Sequence, residues 1–357
     1  MCQRFNTPAR LQGFRQEHKS AVSCGLWYNF RGGFRFILRT TLLKKTFLLL
    51  FLLLTVSTVQ ASTYTEEWQD TKRHRTVPVR VYLPEMAAGA KRVPPYPVVL
   101  LSHGLGGSRE GFPYLGEHWS KHGYIVLTMQ HPGSDHSVWQ GRAGQTVIQA
   151  MQGAVNAQTA ADRVNDVKFV LDELEARNKK EGDRLFGLLD LQRIALGGHS
   201  FGAHTAIASV GRFPYEAEPR LKAAIAMSSD GPERMDPKEA FRRVKTPILH
   251  LTGTKDVSLI RPATQAVDRR IAFDNISGVD QYLVIFTDGD HMLFSGHTRL
   301  RGLSPLEQKY QPMIQSITLH FLDAYLKEDA EAQQRLHETE KTLGDGGTFE
   351  KKMVSPK

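Results

Sequence analysis

The chain has 357 residues, 41% of them apolar and 23% charged, the proportions of an ordinary globular protein, and a formal net charge of +9. That excess is local: of 46 Lys and Arg and 37 Asp and Glu, residues 1–61 hold nine basic groups and one acidic, leaving 37 against 36 in residues 62–357. A nearly neutral body lacks the basic footprint of a nucleic-acid-binding protein, and both cysteines, Cys2 and Cys24, fall in the leader, so the body carries no disulfide, thiolate metal site or cysteine nucleophile.

Within the leader, Lys44 and Lys45 precede an apolar run from Phe47 to Leu54, and small residues at Val59 and Ala61 follow. That is the order of a secretory signal, with cleavage expected after Ala61 and a periplasmic or extracellular destination. The run is shorter than the ~20 residues of a bilayer-spanning helix, so no stable membrane span is expected after cleavage.

From Ser62 onward, strand-like and helix-like segments alternate, the pattern of a mostly parallel sheet with helices on both faces. Strands are expected at Val79–Leu83, Pro97–Leu101, Tyr124–Met129, Arg193–Gly197, Ala223–Met227, Pro247–Thr252 and Tyr282–Phe286. A helix fits between Pro113 and His122. Apolar residues at 164, 167, 170, 171 and 174 keep helical spacing, as do Ile314, Ile317, Phe321 and Leu322 between Met313 and Leu326. No repeat or linker divides the body, which gives one domain over 62–329 and a polar, loosely held tail over 330–357.

Arg193-Ile194-Ala195-Leu196-Gly197 runs directly into Gly198-His199-Ser200-Phe201-Gly202 and then a helix-forming segment. A G-x-S-x-G pentapeptide says little alone. Set between a strand and a helix it describes a nucleophile elbow, in which flanking glycines permit a strained backbone at the serine and the helix N-terminus faces developing negative charge. The loop Ser102-His103-Gly104-Leu105-Gly106-Gly107 follows another buried strand, and its glycines let the backbone approach a ligand. Oxyanion donors are therefore expected at the Leu105 and Phe201 amides, with His103 bracing its own loop.

Serine chemistry needs a histidine base oriented by a carboxylate, in the chain order Ser, acid, His for this architecture. Of the histidines after Ser200, His291 alone stands on a loop directly after a strand, with His297 in reserve. The acid is expected at Asp256, in the turn after Pro247–Thr252. Asp230, after the preceding strand, is the alternative. The His131-Pro132-Gly133-Ser134-Asp135 segment lies on the same sheet edge and is expected either to shape a substrate pocket or to form a plain turn.

With these residues placed, the chain resembles the α/β-hydrolases. His103–Gly107, Tyr114–His131 and Gly198–Ala203 are similar to the group of platelet-activating factor acetylhydrolases, chlorophyllase-like and polyester-hydrolysing esterases, and predicted dienelactone hydrolases. The resemblance spans about 78–326 and implies a serine esterase that needs neither metal nor organic cofactor and acts on a small or lipid-like ester. True dienelactone hydrolases use a cysteine nucleophile, which this body lacks, and the acetylhydrolase branch places its acid one strand earlier, at the position of Asp230. A peptidase or amidase on the same residues, and a non-catalytic binding protein on the same fold, are the competing expectations.

Overall fold

A computed structural model describes residues 63–84, 94–258, 260–261, 263–296 and 302–354. The expected signal segment and the reserve His297 lie outside the described residues. Nine strands form one sheet in the order β1-β2-β4-β3-β5-β6-β7-β8-β9: β1 (Thr63–Asp70), β2 (Arg75–Tyr82), β3 (Tyr96–Ser102), β4 (Ile125–Met129), β5 (Leu189–His199), β6 (Leu221–Met227), β7 (Ile248–Lys255), β8 (Gln281–Asp290) and β9 (Gly347–Lys352). Strands β4, β3, β5, β6, β7 and β8 are parallel. The β1–β2 hairpin joins one side antiparallel, and β9 joins the other.

Every residue of β3 and β4 is buried, because helices cover both faces. Alternation then divides each strand between two cores. Val98 and Leu100 of β3 face one side with Val167, Val170, Leu171 and Leu174 of helix α3 (Ala157–Lys179) and Ala203 and Ile207 of α4 (Phe201–Ser209). Val99 and Leu101 face the other with Leu115 and Trp119 of α1 (Pro113–Lys121) and Ile314, Ile317, Phe321 and Leu322 of α7 (Pro305–Leu326). The expected stripes on α3 and α7 are thus the buried ones. Helix α3 begins at a capping box of Asn156 with Thr159, and α7 at one of Ser304 with Glu307. Between α1 and α3, α2 (Gln145–Ala154) buries none of its residues in the core, and two short helices, α5 (Pro237–Phe241) and α6 (Ile271–Asn275), lie between α4 and α7.

Two elements depart from expectation. Strand β1, Thr-Tyr-Thr-Glu-Glu-Trp-Gln-Asp, is an edge strand, and its polar composition concealed it. The segment after Asp329 is not a loose tail: α8 (Ala330–His337) and α9 (Thr339–Leu343) lead into β9, which pairs with β8 from Phe286 opposite Gly347 to Gln281 opposite Lys352. Leu336 and Leu343 are buried in the second core, and Phe349 packs against it. Arg270 of the 3-10 turn Ala266–Arg270 clamps Glu350 through both of its oxygens, at 2.9 and 3.0 Å. Few apolar residues anchor this segment, so its polar average hid their role.

Candidate active site

Ser200 joins the last residue of β5, His199, to the first of α4, Phe201. Its φ of 55° and ψ of −115° put an L residue in a sparsely populated conformation costing on the order of 1–3 kcal/mol. The surroundings enforce it. The Ser200 amide donates to the Met227 carbonyl at 2.8 Å, and the Ser200 carbonyl accepts the His204 amide at 3.0 Å to start the helix. The two flanking glycines follow from contact distances: a Cβ on Gly202 would fall 1.9 Å from the Ser102 carbonyl oxygen, and one on Gly198 would fall 2.3 Å from the Gly202 carbonyl oxygen. The elbow therefore packs backbone to backbone against the end of β3.

The loop after β8 brings His291 to this serine, its Nε2 2.9 Å from Ser200 Oγ. On the other side of the ring, Nδ1 lies 2.7 Å from Asp256 Oδ1, in the turn after β7. A carboxylate only accepts, so the proton of the neutral ring sits on Nδ1 and leaves Nε2 free to take one from the serine. The Thr252 hydroxyl donates to the other Asp256 oxygen at 2.8 Å. Asp256 is fully buried. Burial alone would raise its pKa, but the hydrogen bond from His291 and the charge of Arg269 outweigh it and hold the carboxyl at about 2.

Asp230 is elsewhere. Its carboxylate is bound by Arg269 Nη1, and Arg261 Nη1 stands 3.5 Å away. Buried Arg269 reaches the expected acid as well: its Nε is 3.1 Å from Asp256 Oδ1 and donates to the Asp256 carbonyl at 3.2 Å, while Nη1 donates to the Ser228 carbonyl at 3.2 Å. One guanidinium thus links both carboxylates, and Asp256 is the one in contact with His291. Sequence reasoning missed Arg269, which stands between Asp268 and Arg270 with no motif to mark it. It also missed His199, whose Nε2 donates to the His291 carbonyl at 2.7 Å and fixes the backbone that carries this ring.

Gly104 lies against the elbow, since a Cβ there would be 3.5 Å from Ser200 Cβ. Leu105 and Phe201 line one cleft with Ser200 and His291. Phe201 opens α4, so its amide has no intrahelical acceptor. Beside Leu105, the Gly106 amide donates to the Ser134 carbonyl at 2.9 Å and that of Gly107 to the Gly104 carbonyl at 3.1 Å. His103 braces this loop, as expected: it is buried, its Nε2 accepts the His131 amide at 3.0 Å, and its Nδ1 lies 2.6 Å from the Gly104 carbonyl.

The His131–Asp135 segment does not line the cleft. His131 is buried behind the loop, its Nδ1 2.9 Å from Asp166 Oδ2 and its Nε2 3.0 Å from Ser102 Oγ. Arg163, also buried, donates to the Ser134 hydroxyl at 2.8 Å, to the His103 carbonyl at 2.8 Å and to Ser102 Oγ at 3.2 Å. Burial, then the neighbouring Arg163 charge, pushes the His131 ring down to about 4, so it is neutral at physiological pH. This network, invisible in the sequence because its members come from three separate segments, ties the loop to α3.

The cleft has a volume of about 1060 Å³. Ile148 and Met151 of α2 form one wall, and Phe213, Pro214 and Tyr215 another. Among the described residues no cluster of three or more His, Cys, Asp or Glu could hold a metal ion, and no helix is long and apolar enough to cross a membrane.

A family model described as phospholipase/carboxylesterase matches residues 84–291, more than half of the chain. Among solved structures, a ferulic acid esterase from Streptomyces cinnamoneus superposes with a TM-score of 0.53 at 19% sequence identity, covering 77% of this chain and 92% of that one. No curated protein sequence matches the chain.

Proposed function

We propose, starting from the chain's membership of the phospholipase/carboxylesterase family of α/β-hydrolases, that this carboxylic ester hydrolase works through an acyl-enzyme on Ser200, with His291 as base, Asp256 as the orienting acid and the Leu105 and Phe201 amides as oxyanion donors. The observation that carries the reading is the unbroken contact from Asp256 to His291 to Ser200, at 2.7 and 2.9 Å, ending on a strained serine in the wall of a large cleft. His291 Nε2 takes the proton of Ser200 as Oγ bonds to the ester carbonyl carbon. Asp256 stabilises the imidazolium, and the two amides meet the oxygen that gains charge. Collapse expels the alcohol, which receives the proton from His291. Water then repeats the sequence on the acyl-enzyme and releases the acid.

The test is a set of 4-nitrophenyl esters of increasing acyl length, together with a feruloyl ester, beside a 4-nitroanilide. Turnover of esters, with covalent fluorophosphonate labelling of Ser200, is the expected result. Anilide cleavage without ester cleavage would make the protein an amidase, and folded protein that refuses the label would make it a binding protein. We further propose that the chain is exported, with protein recovered from its native cell envelope beginning at Ser62. An intact mass that retains Phe47–Leu54 overturns this.

A further inference from the structure

One end of the cleft carries charge that the esterase reading leaves unused. Three arginines line it, Arg212, Arg234 and Arg261, against two carboxylates, Asp230 and Glu233. Both carboxylates are engaged: Glu233 pairs with Arg261 at 3.0 Å, and Asp230 is shared between Arg269 and Arg261. Arg212, only 7% exposed, is left over. Its one hydrogen bond among the described residues runs to a neutral acceptor, the Asp230 carbonyl, at 3.3 Å, and its guanidinium otherwise rests 5.5 Å from the Phe241 ring. A guanidinium has five N–H donors, and buried charges are ordinarily paired with an opposite charge.

A second polar side chain lines the same space. His204 lines the cleft one helical turn, about 6 Å of rise, beyond Ser200 on α4. Its Nδ1 is buried with no hydrogen-bond partner among the described residues. Burial, then the charges of Arg212, Arg261 and Arg163, hold this ring well below its ordinary pKa, so it is neutral and offers one donor and one acceptor. Burial likewise brings the Arg212 guanidinium down to about 10, against the opposing pull of the Asp230 and Glu233 charges, which act on it from beyond salt-bridge contact, and it is still charged at neutral pH. A cation with no carboxylate in salt-bridge contact among the described residues and a neutral imidazole, which with Nδ1 enclosed has only its other nitrogen to offer a ligand, thus share the cleft with Ser200, and Phe213, Pro214 and Tyr215 supply apolar wall around them.

We infer that Arg212 and His204 form an anion subsite, and that the preferred substrates are esters bearing a second, ionised carboxylate a few bonds from the scissile carbonyl. This deepens the esterase reading and rests on it. The carboxylate completes the charge pairing that Arg212 lacks, and His204 donates to its second oxygen. An apolar ester of the same shape leaves both groups unpaired as it displaces water from them. Discrimination of this kind, between a charged hydrogen-bonding partner and none, amounts to about tenfold or more.

The experiment compares each acidic ester with its neutral methyl ester. Mono-4-nitrophenyl adipate places the carboxylate on the acyl side, with a chain length matched to the separation along α4, and 4-acetoxybenzoate places it on the alcohol side. The expected result is a kcat/KM ratio of about ten or more in favour of the free acid in one of the two arms, falling toward one in Arg212→Gln and partly retained in Arg212→Lys. Melting temperatures identify any variant that fails to fold. Arg261→Gln, in a more exposed side chain, lowers the ratio less. Calorimetric binding of each pair to Ser200→Ala, before and after Arg212→Gln, reports the subsite independently of turnover. Methyl esters cleaved and bound as well as the acids in both arms, or an acid preference that survives in folded Arg212→Gln, overturns the subsite. Failure to cleave any ester, with acid-selective binding intact and dependent on Arg212, overturns the esterase reading alone.

Discussion

Replacing Asp256 by Asn tests what the buried carboxylate does for His291, and the packing around it constrains the answer. Where an amide can turn either face to the imidazole, the ring adopts the wrong tautomer and turnover typically falls about 10⁴-fold. Here two donors, His291 Nδ1 at 2.7 Å and Arg269 Nε at 3.1 Å, converge on the same oxygen, Oδ1, and the hydroxyl of Thr252 sits on the other. A hydroxyl can accept as well as donate, so the amide nitrogen settles against Thr252 and its oxygen stays with the two donors. The tautomer is then preserved and only the charge is lost. Two unit charges about 4 Å apart at an effective dielectric near 20 interact by about 4 kcal/mol, or roughly 10³ in turnover. Asp230→Asn removes a partner of Arg269 that does not touch the ring, and should cost about tenfold or less. The assay is kcat on a 4-nitrophenyl ester beside the melting temperature of each variant. If Asp230→Asn collapses turnover while Asp256→Asn barely alters it, both folded, the assignment of the acid is wrong. A loss of 10⁴ or more in Asp256→Asn would refute the argument that the tautomer is held.

Other expectations follow from local geometry. Ser200→Gly should abolish turnover yet stabilise the protein by about 1 kcal/mol, since glycine tolerates the backbone at φ 55°, and the melting temperature of a domain this size should rise by about 2 °C; a fall would mean the serine is unstrained. Acid should destabilise the fold in two stages. His131 and His250 protonate near pH 6.5 when unfolded but near 4 and 3 when folded, so the unfolded chain binds more protons and stability declines as pH falls from about 6.5. Asp256 and Asp166, both near 2 in the fold, add stability above about pH 3.8 that disappears as pH drops toward 2, on the order of 2 kcal/mol each. Denaturant titrations between pH 8 and 2 check this, and a stability flat from 7 to 4 would contradict the histidine stage. Ending the chain at Asp329 should lower the melting temperature by several degrees or render the protein insoluble, because β8 loses its partner and the second core loses Leu336 and Leu343; an unchanged melting curve would refute that role.

The central strands and the elbow were legible because each is a local signal: an unbroken apolar run for β3 and β4, and two glycines around Ser200 whose absent Cβ atoms the packing explains. His291 could be picked out by its place after β8. The strands at the sheet's edges could not. An edge strand such as β1 buries little, and its inward positions mix Tyr64 and Trp68 with Glu66 and Asp70, so no apolar alternation marks it, while β9 owes its structure to pairing with residues 61 to 71 positions earlier. The same holds for the groups behind the site. Arg269 reaches Asp256 from a 3-10 turn, and Arg163 reaches Ser102 from mid-helix, contacts that depend on the folded path of the chain rather than on any spacing along it. Asp230 and Asp256 both follow strands and both attract arginine, so only the position of the His291 ring separates their roles.

The succession of contacts Asp to His to Ser occurs twice among the described residues. Ser102, His131 and Asp166 reproduce it with similar separations and the same arrangement of protons. Yet Ser102 is the last residue of a regular strand, fully enclosed, and its oxygen already accepts from Arg163. An electrophile has no approach to it. A serine-directed phosphonate should therefore titrate one equivalent per chain, and a search by interatomic distance alone would return two centres, one of them inert. On the function proposed above, reactivity resides in the half-buried, strained turn and the cleft before it, while the three side chains by themselves are as serviceable for holding a loop in place as for breaking a bond.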